Sequence, residues 1–171
     1  MGQAGVDLSP EAEAQVRRYL DPVWSVVDVG PGIRPQTLID CITLLCIEPH
    51  GEYVEWLQAH GHSVIQGRAV DVLPKIVDGV DTITAIDVIE HMERAEGEEF
   101  VRLALKVARE QVIIFTPLGF YPQPPVDAWG MNGGAWQEHK SGWVPADFPG
   151  WRIVKFDTFH DTAGAFFAIH G

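Results

Sequence analysis

Four short runs rich in apolar residues constrain this chain more than anything else in it: Trp24 to Val29, Thr43 to Glu48, Asp81 to Ile86 and Gln111 to Thr116. A strand of that composition has to be covered on both faces, as happens in a parallel sheet flanked by helices. The stretches between the runs supply helices. Ser9-Pro10-Glu11 reads as a helix start, with a capping hydroxyl, a proline in the first turn and an acid near the positive end of the dipole. That helix should run to about Leu20, where Asp21-Pro22 stops it. A short helix is expected from Pro35 to about Cys41, and a longer one from Gly51 to His60 with Tyr53, Val54 and Leu57 on one face. Ser63 to Gln66 is a short strand and Val72 to Val77 a weak helix. From Glu96 to Arg109 the helical pattern is clearest, because Phe100, Leu103, Ala104 and Val107 recur at i, i+3, i+4 and i+7.

The rhythm breaks after Pro117. Residues 117 to 150 are rich in proline and glycine and contain Trp129, Trp136 and Trp143. Arg152 to Phe159 and Ala165 to His170 then read as strands, joined through Asp161-Thr162-Ala163-Gly164, a connection short enough to require an antiparallel hairpin. The expected fold is therefore α/β: a Rossmann-like, doubly wound, mostly parallel sheet with an antiparallel C-terminal hairpin, in three α/β/α layers. One domain over residues 1–171 is expected, with 117–150 as its acceptor-side loop.

Composition narrows the possible functions. At 171 residues and 46% hydrophobic, the chain can bury a sizeable core. No apolar run approaches the ~20 residues that cross a bilayer. The start, MGQAGVDLSPEAEAQ, lacks the basic and apolar pattern of a secretory signal, and Val6 stands where a myristoylation motif needs Ser or Thr. Cys41 and Cys46 could pair as a disulfide, but two buried free thiols in a protein of the reducing cytoplasm are the favoured expectation. A net charge of −12 argues against a phosphate backbone as the main partner and makes nucleic acid an unfavourable ligand. A cationic ligand would be well tolerated in that field.

The most informative stretch is VVDVGPGIRPQTLID, Val26 to Asp40. Gly30 and Gly32 follow an apolar strand, where an open α/β sheet places its ligands. Glycine there permits positive φ and lets a ligand reach the backbone without meeting a Cβ. A tight strand-to-helix turn would explain the pair equally well, but the second strand ends in Glu48, eighteen residues after Gly30. A carboxylate at that place can accept both hydroxyls of a ribose. A dinucleotide site would carry a third glycine where this chain has Pro35. A phosphate-free adenosine needs that glycine less, which favours S-adenosylmethionine over NAD.

These residues resemble a family. Asp28-Val29-Gly30-Pro31-Gly32 looks like motif I of class I S-adenosylmethionine-dependent methyltransferases, and Glu48-Pro49-His50 resembles their acidic position after strand two. Gly67-Arg68-Ala69-Val70-Asp71 resembles the loop against the adenine. Ala85-Ile86-Asp87-Val88-Ile89-Glu90-His91 is similar to the segment closing strand four, and Phe115-Thr116-Pro117 to the end of strand five. The resemblance spans about residues 24 to 120. It implies an enzyme that transfers a methyl group from S-adenosylmethionine to a small-molecule or sugar-like acceptor. Gly30, Pro31 and Gly32 would leave room for the cofactor, and Asp28 would orient its amino group. Glu48 and Pro49 would flank the ribose, Ala69 or Asp71 would meet the adenine, and Asp87 and Val88 would line the cavity. His91, and His139 from the loop, would act as bases for a hydroxyl acceptor, since imidazole titrates near neutrality.

Two other readings follow from the same residues. The fold could serve as a non-catalytic binding module. Alternatively Asp87, Glu90, His91 and His139 resemble the acid-x-x-Glu-His plus later His pattern of metal-dependent 3′-terminal RNA 2′-O-methyltransferases. Glu90-His91 is also common in small-molecule members that use no metal, so no metal ligand is assigned from sequence. Oligomeric state is not legible.

Overall fold

The computed structural model describes residues 8–160 and 163–171. Seven strands form one sheet in the order β3-β2-β1-β4-β5-β7-β6. They are β1 (Val23–Val29), β2 (Cys41–Glu48), β3 (Ser63–Gln66), β4 (Val80–Ile86), β5 (Ala108–Pro117), β6 (Arg152–His160) and β7 (Ala163–His170). The first five run parallel, and β7 pairs antiparallel with both β5 and β6. Among the described residues five α-helices accompany them: α1 (Pro10–Arg17), α2 (Gly51–Ala59), α3 (Ala69–Val72), α4 (Arg94–Val107) and α5 (Gly134–Gln137). The Rossmann-like α/β expectation holds, including the antiparallel end.

Alternation along the strands divides the core in two. Val27, Val29, Ile83, Ala85, Val112, Ile114, Phe166 and Ala168 face the α3–α4 side, where they meet Phe100, Leu103, Ala104 and Val107 of α4. The residues between them, Val26, Ile113, Phe115, Phe167 and Ile169, face Val16 of α1 on the opposite side. The period of two thus buries every second side chain under a different layer. Ser9 caps α1 through its hydroxyl, which accepts from Ala12 N at 3.2 Å, as the sequence pattern requires.

Several expectations need correction. No helix forms from Pro35 to Cys41. The backbone there is satisfied largely by side chains. Gln36 N donates to Asp28 Oδ2 at 2.8 Å, Ile39 N donates to the Gln36 side chain, and the Arg17 guanidinium donates to the carbonyls of Thr37 and Leu38. With those partners a seven-residue helix has little to gain against its nucleation cost, and Cys41 opens β2 instead. The weak helix placed at Val72 to Val77 is shifted to Ala69–Val72 and a 3-10 turn at Leu73–Lys75, which accepts Pro74 near its start. The first helix ends at Arg17 rather than Leu20, and the fourth runs Arg94–Val107 rather than Glu96 to Arg109. Ala108 already pairs with Val80, so the strand takes over there. Ala163 and Gly164, read as connection, belong to β7. Asp161 and Thr162 lie outside the described residues, as do residues 1–7 and the leader and lipidation readings made on them. Both cysteines are free thiols within β2, Cys46 buried and Cys41 only partly so. Among the described residues no helix is long and apolar enough to cross a membrane.

Candidate functional site

A cavity of about 600 Å³ opens beyond the carboxyl ends of β1, β2 and β4. This is where the sheet order reverses direction and where α/β folds place ligands. All nine residues read from sequence as cofactor-binding line it: Asp28, Gly30, Pro31, Gly32, Glu48, Pro49, Ala69, Asp87 and Val88. His91 and His139 line it too, although 48 positions separate them in the chain.

The glycine turn and the acid form one unit. Gly30 and Gly32 have φ of +63° and +58°, which favours glycine. Glu48 Oε2 accepts from Gly32 N at 3.0 Å, and Oε1 accepts from His50 N at 2.9 Å. Burial pushes the Glu48 carboxyl up to about 7, against the pull of those two amides. The space around the glycines is not bare, however. A Cβ on Gly30 would come within 2.9 Å of Val88 Cγ1, and one on Gly32 would run into the Trp129 ring.

Asp28 is buried at the end of β1. Its Oδ1 accepts from Thr84 Oγ1 at 2.7 Å and its Oδ2 from Gln36 N. Burial raises its carboxyl to about 6. Both oxygens therefore have protein partners, and one of them anchors the irregular segment that replaces the expected helix.

Another part of the cavity wall is built from the 3-10 turn Ile89–His91 and the long loop. The Glu90 carbonyl accepts from Lys140 N at 2.7 Å and Ser141 N at 3.1 Å, which brings His139 against His91 with ring centroids 4.8 Å apart. His139 Nδ1 lies 2.6 Å from the Tyr121 carbonyl and His91 Nδ1 lies 3.2 Å from that of Glu138. A carbonyl can only accept, so each Nδ1 carries a hydrogen. Burial, and then His139, lowers the His91 pKa to about 4, so the ring is a neutral base at physiological pH. Glu90 is buried, and Thr116 Oγ1 donates to its Oε2 at 3.0 Å. Among the described residues its Oε1 has no hydrogen-bond partner. Burial and the neighbouring Asp87 carboxylate raise the Glu90 carboxyl well above its ordinary value. The potential ligand atoms of Glu90, His91 and His139 all lie within 4.8 Å of one another.

Three contributors were not singled out from sequence. Thr84 and Thr116 hold the carboxyl groups of Asp28 and Glu90, and only their place at inward positions of β4 and β5 could have indicated it. Trp129, named from sequence only as one of three loop tryptophans, sits on Gly32 and edge-on to Tyr53, with centroids 5.0 Å apart. Trp143 is the packing residue of the three. It is 2% exposed, and its indole donates to Ser141 Oγ and lies beneath the Arg94 guanidinium.

Strand order, antiparallel β7 and the cavity above β1, β2 and β4 together define the class I S-adenosylmethionine-dependent methyltransferase fold. No family model and no curated protein matches the sequence. Among solved structures, the DhpI–SAM–HEP complex matches with a TM-score of 0.68 at 13% identity, covering 94% of this chain and 85% of that one. The N-methyltransferase NodS from Bradyrhizobium japonicum WM9, in complex with S-adenosyl-L-homocysteine, matches at 0.65 and 14%, over 96% of this chain and 88% of that one. The small RNA methyltransferase HEN1 matches at 0.60 and 13%, over 99% of this chain and 26% of that one.

Proposed function

We propose that this chain binds S-adenosylmethionine and transfers its methyl group to a small-molecule or sugar-like acceptor. The observation that carries the reading is the bond from Gly32 N to Glu48 Oε2 at 3.0 Å, which makes turn and carboxylate a single wall of the cavity. A ribose laid on that wall donates its hydroxyls to Glu48. A pyrophosphate finds no helix N-terminus after the turn and meets a carboxylate where a dinucleotide fold offers amides, which disfavours NAD. DhpI and NodS, both of this fold, are crystallised with SAM and SAH respectively.

When bound, S-adenosylmethionine would supply an electrophilic methyl on a sulfonium. The protein's part is placement: holding the acceptor in line with that methyl and keeping water out. His91 or His139 would take the acceptor's proton at Nε2 as the new bond forms. The backbone carbonyls at each Nδ1 keep a hydrogen on that nitrogen, which turns base work over to Nε2. Isothermal calorimetry with S-adenosylhomocysteine tests the cofactor reading, and absence of heat refutes it. Methyl transfer to candidate acceptors then separates an enzyme from a binding module.

A second reading is favoured by the convergence of Glu90, His91 and His139. A buried Glu90 oxygen without a hydrogen-bond partner among the described residues, beside two imidazoles each tied at Nδ1 to a carbonyl, fits a divalent cation. Glu90, His91 and His139 would hold it; Asp87, grouped with them from sequence, is not part of that convergence. The ion would lower the pKa of an acceptor hydroxyl such as a ribose 2′-OH, giving an enzyme similar to the metal-dependent RNA 2′-O-methyltransferases. HEN1 is the neighbour named for small RNA. Manganese titration of metal-free protein, compared with Glu90→Gln, tests this reading. Equal affinity in the two proteins removes it.

A further inference from the structure

The turn assigned to the cofactor is covered by the protein itself. Trp129 lies so close to Gly32 that no ligand atom can approach the glycine from that side. The ring is not placed there by chance packing of a loose loop. Asp127 gathers its own segment into a knot, with Oδ1 accepting from Trp129 N at 2.8 Å and Oδ2 accepting from Met131 N at 2.7 Å and Gly133 N at 2.8 Å. Burial alone would raise its carboxyl, yet those amides hold it below its ordinary value. The knotted segment is then fastened to the other wall of the cavity at three points. His50 Nε2 meets the Met131 carbonyl at 2.6 Å, Asn132 Nδ2 donates to Glu52 Oε1 at 2.7 Å, and Tyr53 packs edge-on against the Trp129 ring. All three anchors stand at or beside the start of α2, immediately after Glu48.

We propose that residues 127–133 form a gate over the nucleoside cavity, with Trp129 as its leaf and the Asn132–Glu52 and Met131–His50 contacts as its latch, so that an adenosine ligand reaches Gly32 only when the segment lifts. The proposal rests on the reading that the cavity holds an adenosine. The internal bonds of Asp127 keep the segment one body, so it moves as a unit about its ends instead of unravelling. The same segment belongs to the loop that carries Trp136, Gln137 and His139 into the cavity. Its opening therefore also loosens the acceptor side, and it recloses after the nucleoside has entered. This predicts an order of addition, cofactor before acceptor.

Stopped-flow mixing with S-adenosylhomocysteine, followed by tryptophan fluorescence, tests the gate. In the wild type the observed rate should level off with rising ligand, at a ceiling set by opening. Asn132→Gly removes the donor of the exposed latch bond and Glu52→Ala removes its acceptor. Glycine suits the φ of +58° at Asn132, so the turn is preserved. Either substitution should raise the ceiling about threefold to tenfold, the scale of one lost side-chain hydrogen bond. The double variant should match the single ones, because both break the same bond. A rate that stays linear in ligand and is the same in all four proteins overturns the gate while leaving the cofactor reading intact. No calorimetric binding in the wild type or in Trp129→Ala overturns both.

Discussion

Replacing Asp28 by asparagine should stabilise the fold at neutral and alkaline pH while weakening the cofactor site. The carboxyl is 2% exposed and titrates at about 6 in the folded protein against an ordinary value of 3.8. Between those two pH values the folded state holds a proton that the unfolded chain has lost, so stability falls as pH rises through that window and stays low above it. Each pH unit of such a gap is worth about 1.4 kcal/mol. The gap from 3.8 to about 6 therefore costs the wild type about 3 kcal/mol once both states are ionised. Asparagine mimics the protonated acid. Its carbonyl can accept from Gln36 N, and its amide can donate to Thr84 Oγ1, whose hydroxyl then turns to the Val27 carbonyl 3.5 Å away. Urea denaturation at about pH 3.5 and about pH 8 should show the two proteins alike in acid and Asp28→Asn more stable by about 3 kcal/mol in base. Calorimetry on the same samples should show weaker binding of S-adenosylhomocysteine, because the charge that would orient its ammonium is gone. A stability difference that does not change with pH would refute the account of the buried carboxyl.

Three further outcomes are expected. Glu48→Ala should weaken S-adenosylhomocysteine binding by roughly 1.5–3 kcal/mol, the usual range for hydrogen bonds to a charged group, and unchanged calorimetric affinity would remove Glu48 from the ribose role. Gly30→Ala should lower stability in thermal unfolding by about 1–3 kcal/mol, because the new Cβ is strained at positive φ and meets Val88; an unshifted midpoint would mean the turn tolerates a side chain. If His91 is the base, the acid limb of kcat/KM should fall at a pKa of about 4, where the buried ring finally protonates, and an acid limb near the ordinary value of 6.5 would point to another group.

The parts legible in the sequence were those whose determinants are local or repetitive. Strands such as Gln111 to Thr116 announce themselves because burial on both faces demands apolar residues along their length. Gly30, Gly32 and Glu48 were readable because positive φ and a strand-end acid need particular residue types. Residues 35–41 misled because their backbone is satisfied by Asp28, Gln36 and Arg17, two of them outside the segment. His139 was reached only through resemblance, and it is the Glu90 carbonyl that brings it to His91, a contact no local pattern encodes. Trp129 was hidden for the same reason: its place on Gly32 is set by Asp127 and by α2, and nothing in the Pro/Gly-rich loop marks it apart from Trp136 or Trp143.

Insertion of β7 between β5 and β6 has a consequence for how the molecule is made. Phe166 and Phe167 are fully buried, one under each layer, and their strand is an interior member of the sheet. A nascent chain still lacking residues 163–170 leaves β5 with an open hydrogen-bonding edge and β6 with no neighbour. Ribosome-bound intermediates should therefore remain protease-sensitive and chaperone-dependent until that segment has cleared the exit tunnel, and removing it should cost the whole structure rather than trim its margin.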